Sequence, residues 1–214
     1  QFNSRIETYA NFNRIHGAYG FRWRKGDQIN EVVEKLKRSK TTRQAVISMW
    51  DPIQDNISGY GDYPCNTHIY FRVIDNDLHM TVCNRSNDVI WGMLGANVVH
   101  MTMLQEVIAY EAGLDVGLYR VFTNNAHIYQ QHWPLLEQRV SIEIPRLAEP
   151  YPLLSRGKLV DFVADCEEFL AGDFDPVMPW MAEVATPIYF AWKDYKAKNY
   201  TSCQAGMEDI ADDN

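Results

Sequence analysis

The sequence predicts an α+β fold with a mixed, mostly non-parallel β-sheet. Three observations carry this. Residues 68–83 read as a hairpin: Ile69, Phe71 and Val73 alternate with polar neighbours, Asp75-Asn76-Asp77 turns the chain, and Leu78, Met80 and Val82 resume the alternation. Residues 97–112 read as a long helix with Val98, Met101, Leu104, Ile108 and Ala112 in one stripe and Gly113 at the C-terminal cap. The remaining strands and helices follow no regular β-α-β alternation, so an all-parallel sheet is not indicated.

The other elements follow in order. Ile29, Val32, Val33 and Leu36 share one face of a helix over residues 28–37. Residues 43–50 read as a strand stopped by Asp51-Pro52, and residues 55–64 as a Gly/Asp-rich loop that delivers Cys65 to the next strand. Residues 118–123 form a strand feeding the cluster around His127. Leu159, Phe162, Val163, Cys166, Phe169 and Leu170 mark a helix ended by Gly172, and a last helix spans residues 181–198, kinked or broken at Pro187. One domain over residues 1–198 is expected, with residues 199–214 an acidic, disordered tail.

Composition narrows the function. The chain has 214 residues, 46% hydrophobic and 22% charged, and a formal charge of −8. That suits a globular domain with a sizeable core and disfavours a nucleic-acid polymer as partner. No apolar run of about 18 residues and no signal peptide is visible, so a cytoplasmic protein with no membrane partner is expected. Cys65, Cys83, Cys166 and Cys203 lack CxxC spacing and read as reduced thiols, with no metal site expected. His16, His68, His79, His100 and His132 show no ligand spacing either and read as structural. The chain starts at Gln1 without a methionine, as a fragment or processed chain does.

Three polar clusters point to chemistry, each with a plainer reading beside it. Cys65 follows a proline at a loop end, where a thiol can be a nucleophile or simply a small buried hydrophobe. Arg85-Ser86 can clamp a phosphate, or Arg85 can pair with Asp88 on the surface. Gly92 and Gly95 allow close backbone approach in the segment before Asn97, whose amide can read a base edge or cap the helix. His127 and Tyr129 share a strand face and can bind a sugar, or be a satisfied strand end. A thiol, an anion clamp and a His/Tyr pair suggest covalent chemistry on a phosphorylated small molecule.

Taken together, these clusters resemble the thymidylate synthase family. Tyr19-Gly20-Phe21-Arg22-Trp23-Arg24 is similar to its Tyr-Gly-x-x-Trp-Arg signature, Thr42-Arg43-Gln44 to its Ser-Arg-Arg strand, Pro64-Cys65 to its nucleophile, and Arg85-Ser86-Asn87-Asp88 to Arg-Ser-x-Asp. Gly113 to Gly117 and Ala126-His127-Ile128-Tyr129 continue the match, which spans residues 15–139. The resemblance implies that fold and a homodimer joined through its sheets. It implies that Cys65 attacks C6 of a pyrimidine nucleoside monophosphate (dUMP, dCMP or CMP) and that C5 takes a one-carbon unit from 5,10-methylenetetrahydrofolate. Tyr19, Cys65 and Asn66 fall at the catalytic centre. Arg85, Ser86 and a partner's Arg43 fall on the phosphate, Asn84 beside the nucleophile, Asn97 on the base, His127 and Tyr129 on the sugar, and Asp88 with Gly92 toward the folate.

The departures shift the expected product. Asn66 stands where synthases have histidine, Gln44 replaces the second arginine, and Ala96 aligns with their base-reading asparagine, one place before Asn97. The synthases' short apolar closing C-terminus is not seen, and their general-base glutamate and first phosphate arginine fall before Gln1. Cys65-Asn66-Thr67 and Arg85-Ser86-Asn87-Asp88 are more similar to phage-type nucleotide hydroxymethylases, which place the enzyme in a host cytoplasm. C5-hydroxymethylation is therefore the expected reaction, with thymidylate synthesis, then an inactive nucleotide-binding relative, as alternatives.

Overall fold

The computed structural model describes residues 10–11, 14–57, 59–134, 152–154 and 158–212. The chain divides into two compact units, residues 1–139 and 140–214. No glycine-, proline- or serine-rich linker marks that boundary in the sequence.

In the first unit, β1 (Ala10–Asn11) and β2 (Arg14–Ile15) form a small antiparallel pair. Helices α1 (Tyr19–Arg24) and α2 (Gln28–Arg38) follow. Strands β3 (Val46–Ser48), β4 (Asn66–Ile74), β5 (Asp77–Asn84) and β7 (Asp115–Thr123) make a four-stranded sheet in that order. The first three are mutually antiparallel and β7 runs parallel to β5. The sheet is therefore mixed, as its sequence pattern predicts.

Helices α2 and α4 (Asn97–Ala112) supply the layer that covers the sheet. Val32, Leu36, Met101 and Ile108 pack with Ile47, Ile69, Leu78, Met80 and Val82 in one core cluster, each at most 1% exposed. Helix α4 has the predicted bounds, and Gly113 closes it at φ 67°, a left-handed conformation that costs glycine nothing. Gln105, buried on α4, donates to the carbonyls of Leu78 (2.7 Å) and Gly117 (3.0 Å). It thereby satisfies acceptors close to where β5 and β7 shift register.

The β4–β5 turn is the two-residue type whose twist suits a hairpin. Asp75 (φ 51°) and Asn76 (φ 77°) both take left-handed conformations, which aspartate and asparagine tolerate. Lys40 Nζ donates to Asn76 Oδ1 at 2.7 Å, and Asn76 Nδ2 donates to Asp115 at 2.8 Å, tying the turn to its neighbours.

Two expectations change here. The strand expected over residues 43–50 is only Val46–Ser48, which leaves Arg43 exposed on the segment leading into it. The loop expected from Asp55 is preceded by a helical turn, α3 (Pro52–Asp55), because Asp51 accepts from the Ile53 amide at 3.0 Å and Pro52 sits in its first turn. Asp51-Pro52 therefore stops one element and starts the next.

A buried ion pair anchors α1 to α3. Arg22 and Asp55 are 2% and 5% exposed, and Arg22 donates to both Asp55 oxygens at 2.8 Å. His16, stacked 3.8 Å from Tyr60, approaches the same carboxylate. Burial opposes the Asp55 charge, but the bonds from Arg22, the Asp51 amide and His16 outweigh it and hold the carboxyl below its usual range.

In the second unit, α5 (Leu159–Ala171) ends at Gly172 as predicted, with Gly172 left-handed at φ 94°. Asp165, 3% exposed, accepts from the amides of Val177 and Met178. A wide π turn (Met181–Ala185) runs into α6 (Thr186–Lys196), and Pro187 lies in the first turn of α6, at the predicted break. The expected disordered tail is instead mostly helix α7 (Tyr200–Asp212), with residues 213–214 outside the described residues. Gly206 faces Ala191 of α6, and Ser202 donates to Asp194 at 2.7 Å. Acidic composition alone hid this small-residue contact.

Asp55→Ala strands Arg22 as a buried charge and should cost about 3–5 kcal/mol in urea denaturation. Because the folded Asp55 pKa is depressed, its contribution is complete above its ordinary value of 3.8 and is lost as pH falls through the lower folded value. The variant should accordingly lose less stability than wild type on acidification through that window.

Candidate active site

The site grows from the ends of β4 and β5. Cys65 stands one residue before β4 and is partly exposed. The register pairs Asn66 with Asn84, which sets Cys65 against Arg85 one residue beyond β5, and the Arg85 amide donates to the Cys65 carbonyl at 2.9 Å.

Arg85 holds the Cys65 loop with its side chain as well. Its Nε donates to the Pro64 carbonyl at 3.0 Å, and a terminal nitrogen donates to that of Tyr63 at 3.2 Å. The guanidinium lies 5.7 Å from the Trp50 ring centroid. These bonds occupy two of its five N–H groups, leaving three to face an anion. The plain alternative, an Arg85–Asp88 surface pair, is not what forms: Asp88 is buried and Arg85 caps the Cys65 loop. Ser86 follows on the same connection, partly buried.

Asn66 is re-aimed by a bulge. The inward residues of β4 are Ile69 and Phe71, so strict alternation puts Asn66 on the opposite face. The β4–β5 register shifts between Asn66 and His68, where Thr67 uses its carbonyl on the amides of Met49 (2.8 Å) and Trp50 (3.1 Å). The shift turns Asn66 inward, 0% exposed, where its Nδ2 donates to Asn84 Oδ1. Asn84 Nδ2 reaches Thr123 at 3.5 Å. Asn66 Oδ1 is buried without a protein partner. An amide floor with an open acceptor thus lies beside the thiol.

Tyr19, the first residue of α1, completes the centre. Burial, then the adjacent Cys65, push its phenol well above the usual tyrosine value, so the hydroxyl stays a proton donor across the working pH range. Its hydroxyl is within hydrogen-bonding reach of Cys65. The Gly17 amide, two residues earlier, donates to Asp62 at 3.0 Å and ties the start of the Cys65 loop to this corner.

A second wall is formed where β6 (Asn87–Asp88) pairs in parallel with β8 (Ala126–His127), setting Asp88 beside His127. His127 and Tyr129 meet edge-to-face at 5.0 Å. Asp88 Oδ1 accepts from the amides of Ile90 and Trp91, both at 2.8 Å, capping a π-helical segment (Val89–Ala96), while Oδ2 is buried without a partner. Trp91 and Leu94 on this segment are exposed.

Asn97 is not the helix cap of the plain reading. Ala96 occupies that position with helical angles, and the Asn97 amide turns sideways to donate to Asn87 Oδ1 at 3.1 Å. Gly92, expected toward a cofactor, is buried against Asn87 and Asn97. Asn87, 2% exposed, is a site neighbour to which the sequence reading gave no role; a polar residue between Ser86 and Asp88 was its only signal. Arg43 is exposed in the single chain.

Arg85→Lys cannot make the paired bonds to Tyr63 and Pro64. Amide exchange in the peptide spanning residues 59–66 should rise at least about tenfold, read by hydrogen-exchange mass spectrometry, with β5 unaffected.

Comparison with known proteins agrees with this arrangement. The family model for thymidylate synthase matches residues 4–185. A deoxyuridylate hydroxymethyltransferase of Pseudomonas phage M6 is 35% identical over 220 aligned positions, covering 92% of this chain and 61% of that protein. One of Bacillus phage SP01 is 36% identical over 129, covering 60% and 34%. The chain thus spans less than two thirds of either relative's length. The solved structure of thermostable thymidylate synthase A from Bacillus subtilis superimposes with a TM-score of 0.54 at 26% identity, over 61% of this chain and 50% of that one. With the family model matching most of its length, the chain belongs to the thymidylate synthase family.

Proposed function

We propose that the protein hydroxymethylates C5 of a pyrimidine nucleoside monophosphate, with deoxyuridylate as the substrate. The observation that carries the choice of product is the buried, open acceptor of Asn66 beside Cys65, where the resembled synthases have histidine. The names of the two phage relatives support the same reading.

The residues divide the work. Cys65 Sγ adds to C6, which makes C5 nucleophilic, and leaves again when the C5–C6 double bond re-forms. Tyr19 keeps its proton and donates at the reacting centre. The free N–H groups of Arg85, with the Ser86 hydroxyl, hold the phosphate. His127 and Tyr129 hold the sugar, and Asn97 meets the base. Asn66, braced by Asn84, accepts a hydrogen bond from the water that becomes the product hydroxyl. Adding a formaldehyde-level carbon and water to C5 is redox-neutral overall, so water suffices where methylation needs hydride.

5,10-Methylenetetrahydrofolate supplies the one-carbon unit when bound. The wall around Asp88 suits it: the unpartnered buried Oδ2 accepts from ring N–H groups, and exposed Trp91 and Leu94 offer apolar surface. A homodimer is part of the reading. The sheet face away from the core exposes Tyr70, Leu118 and Phe122, which a second copy covers, and Arg43 then serves the partner's phosphate. Methylation to thymidylate is the second reading, favoured by the Bacillus subtilis structural neighbour.

Incubation with dUMP and methylenetetrahydrofolate should raise the nucleotide mass by one CH2O unit; a gain of CH2 with dihydrofolate appearing identifies a thymidylate synthase instead. Cys65→Ser should lower turnover at least about a thousandfold while nucleotide still binds. Mixing Arg43→Ala with Cys65→Ser subunits should recover activity, because one mixed-dimer site keeps both residues. No recovery in verified mixed dimers rules out sharing.

A further inference from the structure

We propose that His16 and Tyr60 form a latch that positions Cys65 for its attack, by clamping the strap of residues 59–64 onto the Arg22–Asp55 ion pair. The inference rests on the covalent role of Cys65 given above and assigns control of its position to two residues that the reaction itself does not use.

The ring of His16 is fixed from two sides. Its Nε2 lies 2.5 Å from Asp55 Oδ1, and an ionised carboxylate can only accept, so that nitrogen carries the proton. Arg22 holds the backbone of the same residue, donating to the His16 carbonyl from Nε at 3.1 Å and from a terminal nitrogen at 2.8 Å. That terminal nitrogen also lies 3.0 Å from His16 Nε2, but its two hydrogens are already placed on the His16 carbonyl and on Asp55. The Arg22 and Asp55 side chains are buried, and that of His16 is 12% exposed. A ring that bonds through its edge leaves its face free. Tyr60 lies on that face, with 3.8 Å between centroids and 5° between planes. Tyr63 closes the corner edge-on at 5.6 Å.

The strap needs this hold. Tyr60 stands between Gly59, at φ 117°, and Gly61, so the backbone on both sides is permissive. The Tyr63 hydroxyl donates to the Ile57 carbonyl at 2.7 Å and accepts from the Tyr60 amide at 3.3 Å, bonds that stay within this loop. His16 and its neighbour take the far end. The Gly17 amide donates to Asp62 at 3.0 Å, and a Cβ on residue 17 would fall 2.5 Å from that carboxylate, so the approach requires glycine. Arg85 takes the near end through the carbonyls of Tyr63 and Pro64, and Cys65 is the next residue. With both ends held, the thiol stays against the Tyr19 hydroxyl. With the far end loose, the near end alone does not fix the direction of Sγ.

Alkylation of Cys65 by iodoacetamide, read by peptide mass spectrometry on the full chain, tests the latch without nucleotide, folate or turnover. His16→Leu leaves Asp55 paired with Arg22, and Tyr60 is exposed, so the buried ion pair survives in either variant. His16→Leu and Tyr60→Leu should each label Cys65 about five- to tenfold faster than wild type, with Cys83, Cys166 and Cys203 unchanged. Tyr60→Phe keeps the stack and should label within about twofold of wild type. Faster labelling at all four cysteines reports general loosening and overturns the latch. So does Cys65 labelling within about twofold of wild type in both Leu variants. In turnover of dUMP with methylenetetrahydrofolate, the Leu variants should lose about tenfold in kcat with nucleotide KM within about twofold, because Arg85, His127 and Tyr129 keep their places. A higher KM at unchanged kcat means that the strap holds substrate and not Cys65, and overturns the positioning role. If wild type forms no hydroxymethylated product, the proposed reaction falls while the labelling result still decides the latch.

Discussion

A two-residue turn and the hairpin it closes set the position of Cys65. With Asp75 and Asn76 left-handed, β4 and β5 leave the hairpin in one register that holds as far as His68 and Cys83, and the bulge beyond it sets Asn66 opposite Asn84. Cys65 and Arg85, twenty residues apart in sequence, become neighbours as a result. A slip of one residue would turn Ile69, Phe71, Met80 and Val82 out of the core, so apolar burial enforces the same alignment that the turn begins. The site inherits its geometry from a hairpin whose stability comes from elsewhere.

Burial is used differently at the two ends of the site. Arg22 and Asp55 are ionised and bonded to each other, so the cost of removing charge from water is offset locally and the pair anchors α1 behind Tyr19. Asn66 Oδ1 and Asp88 Oδ2 are buried acceptors with no protein partner. Unsatisfied groups of this kind cost stability and are retained where a ligand or water completes them. They mark the two places where the pocket expects chemistry to arrive: beside the thiol, and on the wall under Trp91.

Much of this was legible in the sequence. The hairpin, α4 and its Gly113 cap, and α5 with Gly172 follow from periodicity and glycine placement, because local pattern and tertiary packing agree there. The cysteine, the arginine and the His/Tyr pair stand out as residue types in the right order. What stayed hidden depends on contacts between distant residues. Alternation assigns Asn66 to the wrong face, and only the bulge at Thr67 corrects it. Asn87 looked like a spacer between two functional residues. At Gly92 the missing side chain makes room for two amides, a contact the sequence does not show. The helix over Tyr200–Asp212 packs along α6, with Ser202 bonded to Asp194, which composition does not report.

The parallel pairing of β5 with β7 carries a consequence for how the site assembles in time. A hairpin such as β4–β5 is a local structure that closes in about 1–10 μs, and it already unites Cys65 with Arg85. The wall bearing His127 arrives only after the chain has run through the π-helical segment and α4 and returned alongside β5. Non-local parallel pairing is slow because loop-closure entropy is spent before contacts form. The half of the site that carries Cys65 is topologically early, and the half that carries His127 is late. Substitutions in α4 or at Gly117 should therefore slow completion of a pocket whose reactive corner is already in place.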